Sequence, residues 1–182
     1  MSSCEQMENL SVLEHGRSVA HYYIDIRNHV LYDEPLKYDW KLPDWIFDKS
    51  FWNTDLSQRD ILTYQIYHDC GKPYCITYDE DGRKHFPNHS EVSYEISKEF
   101  FNDDISHLIK NDMQSHLTKP SNFKNFMMIK NYNILLITGL CEIHSNSKMF
   151  GGIESTSFKI KYKNLNKIGN NIIKQRMENN NE

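Results

Sequence analysis

The stretch from about Tyr132 to Lys148 constrains the fold most. Leu135, Leu136, Leu140 and Ile143 recur there in helical spacing, with Glu142 set among them. A helix with so apolar a face needs other helices to cover it, and the rest of the chain supplies them. Ser11 and Glu14 form a capping box for a helix that carries Val12, His15, Val19, Tyr22, Tyr23 and Ile26. Ser57 and Asp60 open a second, which runs to Cys70 with Ile61, Leu62 and Ile66 on one face. Asn88 caps a third, with Glu91 in the reciprocal position and Val92, Ile96 and Phe100 on its apolar side. A short fourth helix covers roughly Asp104 to Leu117, and Phe150-Gly151-Gly152 ends the long one. Little is left for sheet. Tyr74 to Phe86 reads as a hairpin turning at Asp79-Glu80-Asp81-Gly82, and Ser155 to Tyr162 alternates like a strand, with a short polar helix after it. The expected fold class is all-α: a helical bundle with a small β-hairpin and a short extended C-terminal segment.

A chain of 182 residues suits one domain. We expect residues 1–152 to form it, and a basic extension, 153–182, to pack on it, with the Asn-rich end from Met177 disordered. A net charge of −4 does not by itself point to nucleic acid. No long apolar run resembles a membrane span or a secretion signal, so the expected location is cytoplasmic, with no membrane partner. Cys4, Cys70, Cys75 and Cys141 have no zinc-ribbon spacing and are expected to stay reduced. Between Asp33 and Asp55 the helical rhythm breaks, yet Tyr38, Trp40, Trp45, Phe47, Phe51 and Trp52 crowd there. So aromatic a connection must pack on something. Stacking of a nucleic-acid base on one of its tryptophans, at roughly 1–3 kcal/mol, is the weaker reading.

The residues that carry chemistry start with His68-Asp69, followed by Gly71, Lys72 and Pro73. Gly71 fits the position past a helix end and Pro73 a stop, which places the pair on the last helical turn. An imidazole beside a carboxylate offers nitrogen and oxygen ligands to a catalytic divalent metal. In a bundle the remaining ligands come from facing helices. His15 and Glu142 are the candidates, with Asn146 one turn beyond Glu142 as the alternative. A carboxylate amid Leu140, Cys141 and Ile143 needs some partner. His89, Asp112, His116 and Asn146 are candidates for a second ion or a phosphate, with Asp112 and His116 on one i, i+4 face. Asp69 would also orient the attacking water, and Lys72 or Arg17 would neutralise charge on a phosphoryl oxygen.

Ser11 to Ala20 resembles the first motif of the HD-domain metal-dependent phosphohydrolases, and His68-Asp69-Cys70-Gly71-Lys72-Pro73 resembles their namesake motif. The block from Gly82 to Val92, with His89 opening a helix, is similar to the HD domain attached to bacterial tRNA nucleotidyltransferases. The resemblance covers roughly Ser11 to Phe150. It implies an all-helical HD fold, a divalent metal (Mn, Fe, Co, Ni or Mg) and hydrolysis of a phosphate ester. There are two departures: Asn111-Asp112-Met113 stands where relatives often have a histidine before methionine, and Glu142 stands where aspartate is usual.

The expected function is therefore a metal-dependent phosphohydrolase acting on a nucleotide or a nucleic-acid end, of the 2′,3′-cyclic phosphodiesterase and phosphatase type. Alternatives are a (d)NMP or (d)NTP phosphohydrolase, a cyclic (oligo)nucleotide phosphodiesterase of the kind a virus would use, and, from another class, a non-catalytic scaffold binding RNA or protein. Lys159 and Lys161, with Lys163 on the same face of the expected strand, are candidates for holding substrate phosphates beside Lys72. A charged strand edge that discourages pairing reads equally well.

Overall fold

Ser11 Oγ accepts the Glu14 amide at 3.2 Å, and the Glu14 carboxylate accepts the Ser11 amide at 3.0 Å. The capping box thus forms and launches α1 (Val12–Tyr32). The computed structural model describes residues 1–7 and 10–179. The chain is predominantly helical and divides into two units, one of Met1–Ala20 with Leu56–Asp112, the other of His21–Asp55 with Met113–Glu182.

The first unit opens with a hairpin that the sequence reading did not anticipate. Its strand β1 (Glu5–Met7) pairs antiparallel with β2 (Leu10–Ser11). The start of α1 follows, then α2 (Gln58–Tyr67), whose N-cap Ser57 Oγ accepts the Asp60 amide at 3.1 Å. A turn leads to α3 (Lys72–Cys75) and to the expected hairpin, β3 (Thr77–Tyr78) with β4 (Lys84–His85). Asp79 ties that hairpin's turn by accepting from the Asp81 and Arg83 amides. Helices α4 (His89–Phe100) and α5 (Asp103–Asn111) complete the unit and pack on each other. Val12, Val19, Ile61, Tyr64, Leu108 and Ile109 are buried in its core.

Three local expectations change. Gly71 is not a left-handed helix stop: it lies in the right-handed region, and Pro73 sits in the first turn of α3 rather than ending a helix. The need for glycine there is steric, because a Cβ would strike the Ser93 amide of α4. Asn88 makes no side-chain cap; it takes a left-handed conformation, φ 54°, and turns the chain into α4. The expected fourth helix is two, because the ladder is interrupted at Asp112 and Met113 before α6 (Gln114–Leu117).

The second unit holds the rest of α1, two 3-10 turns at Asp44–Phe47 and Lys49–Trp52, then α6, α7 (Phe123–Met127), α8 (Tyr132–Ser145) and α9 (Thr156–Asn179). Helix α8 is the apolar segment of the sequence, and Ile134, Leu135, Leu136, Ile137 and Leu140 are fully buried. The aromatic connection is packed as expected. Trp45 lies against Gly169 of α9, where a Cβ would meet its indole ring. The Trp52 indole donates to the Ile46 carbonyl at 2.8 Å. The Trp40 indole donates to Asp25, which also accepts the Lys37 and Tyr38 amides.

The extended segment expected at Ser155 to Tyr162 is instead the start of α9. Phe158, Leu165, Ile168 and Ile172 recur at helical spacing and are all buried, which outweighs a short local alternation. That helix continues through Met177 to Asn179, where a disordered tail was expected; Asn180 to Glu182 lie outside the described residues. No helix among the described residues is long and apolar enough to cross a membrane.

Candidate metal centre

The His68-Asp69 pair sits not on the last turn of α2 but just past it, with His68 as C-cap. Two bonds to α4 hold the α2–α3 turn: the Gly71 amide donates to Ser93 Oγ at 2.9 Å, and Cys70 Sγ donates to the Ser93 carbonyl at 3.5 Å. Helix α1 approaches α2 through Gly16, where a Cβ would collide with the Ile66 carbonyl. This close approach brings His15 beside His68, ring edge to ring face, with centroids 5.2 Å apart.

The Asp69 carboxylate is the focus. His68 Nε2 lies 3.2 Å from Oδ2, His15 Nε2 3.7 Å from Oδ2, and His89 Nε2 3.6 Å from Oδ1. Lys72 Nζ donates to Oδ2 at 2.6 Å and to Gln6 Oε1 of the N-terminal hairpin at 2.9 Å. His15, His68 and Asp69 are buried, and the His89 side chain is 22% exposed, so it stands at the open side. Burial pushes the Asp69 carboxyl up, but the charges of His68, Lys72 and His15 prevail and hold it well below the usual carboxylate range.

The donor set fits a divalent cation. His68 Nδ1 lies 2.8 Å from the Gln65 carbonyl, and His89 Nδ1 lies 3.0 Å from the Phe86 carbonyl. A carbonyl only accepts, so each Nδ1 carries a proton, which leaves Nε2 on the Asp69 side of each ring as the nitrogen that could serve a cation. Imidazole nitrogens around one ionised carboxylate suit a borderline divalent metal.

The remaining sequence candidates are placed differently. Asp112 accepts from Tyr64 Oη at 2.5 Å, inside the first unit. His116 Nε2 lies 2.7 Å from Glu142 Oε2 in the second unit. Gly139 permits this, since a Cβ there would come within 2.5 Å of Ser115 Oγ on α6. The helix is interrupted at Asp112 and Met113, so Asp112 and His116 do not lie on one continuous helical face. Asn146 caps the end of α8, its Oδ1 buried without a partner among the described residues. Arg17 is exposed. Two residues from His15, it lies about 200° round α1 and acts electrostatically on Glu14. Lys159 pairs with Glu154 at 2.8 Å, and Lys161 lies over the Phe150 ring at 5.3 Å. On a helix, Lys159, Lys161 and Lys163 no longer share a face. Gln6 was missed, because nothing in the sequence marks a hairpin whose first strand brings it to Lys72.

The family model of the HD domain matches residues 12–144. Comparison with curated proteins and with solved structures gives no significant match.

Proposed function

The chain belongs to the HD-domain family, whose members are in general metal-dependent hydrolases, and from that premise we propose that it hydrolyses a phosphate ester of a nucleotide or a nucleic-acid end, as a phosphatase or 2′,3′-cyclic phosphodiesterase. The observation that carries this reading is the convergence of three imidazole Nε2 atoms and Lys72 on the buried Asp69 carboxylate. His15, His68 and Asp69 would hold the cation, and Glu142 is the fourth ligand that the family resemblance implies. When bound, the ion supplies Lewis acidity towards water and phosphoryl oxygens. Asp69 would also orient the attacking water through its carboxylate. Lys72 places a positive charge where the phosphoryl oxygens gain negative charge. His89, the most exposed of the three imidazoles, stands on the open side, where it would meet the substrate phosphate.

Metal analysis with a substrate panel tests this. The purified protein should carry a divalent metal and turn over at least one of 2′,3′-cyclic NMPs, 3′- or 5′-NMPs, dNTPs or cyclic dinucleotides with Mn²⁺, Ni²⁺ or Co²⁺. Asp69→Ala should lose both metal and turnover, and Glu142→Gln should weaken metal binding. Unchanged metal content in Asp69→Ala would sink the assignment. Retained metal with no turnover on any ester would favour a binding protein.

A further inference from the structure

A groove of about 420 Å³ runs along α9 within the second unit. Its walls are the segment from His116 to Pro120 and the face of α9 from Ile160 to Lys167. Two side-chain amides join the walls: Asn164 donates to the Thr118 carbonyl at 3.1 Å, and Asn171 to the Pro120 carbonyl at 3.0 Å. Lys119, Lys161, Lys163 and Lys167 line the groove, and no carboxylate does among the described residues. Lys119, Lys163 and Lys167 have no ion-pair partner among the described residues, whereas Lys159, just outside, is held by Glu154. Lys163 and Lys167 are one helical turn apart, about 6 Å along the axis. Between the lysines, Leu117 and Ile160 are 67% and 65% exposed. His116 stands at the edge of the groove and also contacts Glu142.

We propose that this groove is a binding site for single-stranded nucleic acid, with Lys119, Lys163 and Lys167 on successive phosphates and base faces on Leu117 and Ile160. A run of unpaired ammonium groups beside apolar surface matches the alternation of phosphate and base along a strand. One phosphate or a free nucleotide would leave most of these lysines unused. An acidic peptide is the competing occupant, which the competition experiment below separates from a nucleic-acid strand. The inference rests on the proposed phosphohydrolase reading and deepens it: the substrate is a strand.

The test reads binding without turnover, so an inert metal centre leaves it interpretable. Fluorescence anisotropy is followed with a labelled single-stranded RNA of about eight nucleotides, within the usual span of a compact site, bearing no terminal phosphate. The parent protein should bind it. Lys163→Glu with Lys167→Glu should weaken binding at least tenfold and lower the salt slope by about 1.4, two phosphates at roughly 0.7 each. Lys110→Glu with Lys174→Glu, the same charge change on exposed lysines outside the groove, should stay within about twofold of the parent. Absence of binding by the parent overturns the proposal. Equal weakening in both double variants, or a poly-glutamate peptide that competes as well as unlabelled RNA, also overturns it. Circular dichroism of both variants confirms the fold. Binding by a protein that turns over no ester would leave the groove standing and remove the phosphohydrolase reading instead.

Discussion

Two buried histidine settings in this chain are built on opposite principles. Around Asp69, the rings of His15, His68 and His89 turn Nε2 towards a carboxylate whose charge Lys72 also balances. In the second unit, His144 has no ion pair with a carboxylate among the described residues. Its Nδ1 donates to the Leu140 carbonyl at 2.8 Å, its Nε2 accepts the Lys41 amide at 3.0 Å, and the rings of Trp40 and Phe158 enclose it. Burial lowers its pKa to about 4. Both backbone bonds are used up, so this imidazole is a crosspiece between α8 and the aromatic connection. The lesson is that burial alone does not make a histidine a ligand. What matters is whether one nitrogen is left for a neighbour that draws charge.

The sharpest way to break that contrast is to put the same apolar ring in both places. His68→Phe should lose bound metal and reduce turnover about a thousandfold, several kcal/mol of transition-state stabilisation. His144→Phe should keep metal content and turnover, read by elemental analysis and steady-state rates, and should lose stability only. Equal losses of metal in the two variants would erase the distinction.

Next in size is Lys72→Met, which leaves the buried Asp69 without its ammonium partner. We expect the metal-free protein to lose roughly 3 kcal/mol, the lower range for breaking a buried pair, in denaturant titration. Added Mn²⁺ should recover most of it, because a bound cation supplies the missing charge. No loss would mean that the imidazoles alone balance the carboxylate.

The His144 site should announce itself through pH. Its folded pKa, about 4, lies below its ordinary 6.5. Its contribution is therefore complete above pH 6.5 and is lost as pH falls through 4, about 3 kcal/mol in all at 1.36 kcal/mol per unit. Unfolding free energies of the chelator-treated protein between these pH values should show the decline, and His144→Gln should flatten it. A parent curve with the same slope as the variant would count against a neutral buried ring.

The smallest effect concerns the helix that carries His15. Ser11→Ala removes the hydroxyl that accepts the Glu14 amide and should cost about 1 kcal/mol by thermal unfolding. Metal content should be unchanged, because α1 is held further along by Gly16 against Ile66.

Much of this was legible in the chain itself. The capping boxes at Ser11 and Ser57, the apolar run of α8 and the Asp79–Gly82 turn are local signals, and local hydrogen bonds realise them. Where the reading failed, a local signal met a stronger nonlocal one. Gly71 and Pro73 spell a helix stop, but packing on Ser93 sets the backbone there. Lys159, Lys161 and Lys163 spell a strand face, but the burial of Phe158, Leu165, Ile168 and Ile172 makes a helix of them.

The sequence by itself determined the helical class, the order of the histidines and the residue types that could meet a metal, because period and motif are properties of neighbours along the chain. Only the tertiary structure decided which groups meet. It brought His89 and Gln6 to the Asp69–Lys72 pair, gave Asp112 to Tyr64 and His116 to Glu142, and gathered four lysines along one groove. Glycines at 16 and 71 let backbones approach where any Cβ would collide, Gly139 leaves room for the Ser115 hydroxyl, and that closeness is invisible in the spacing of residues.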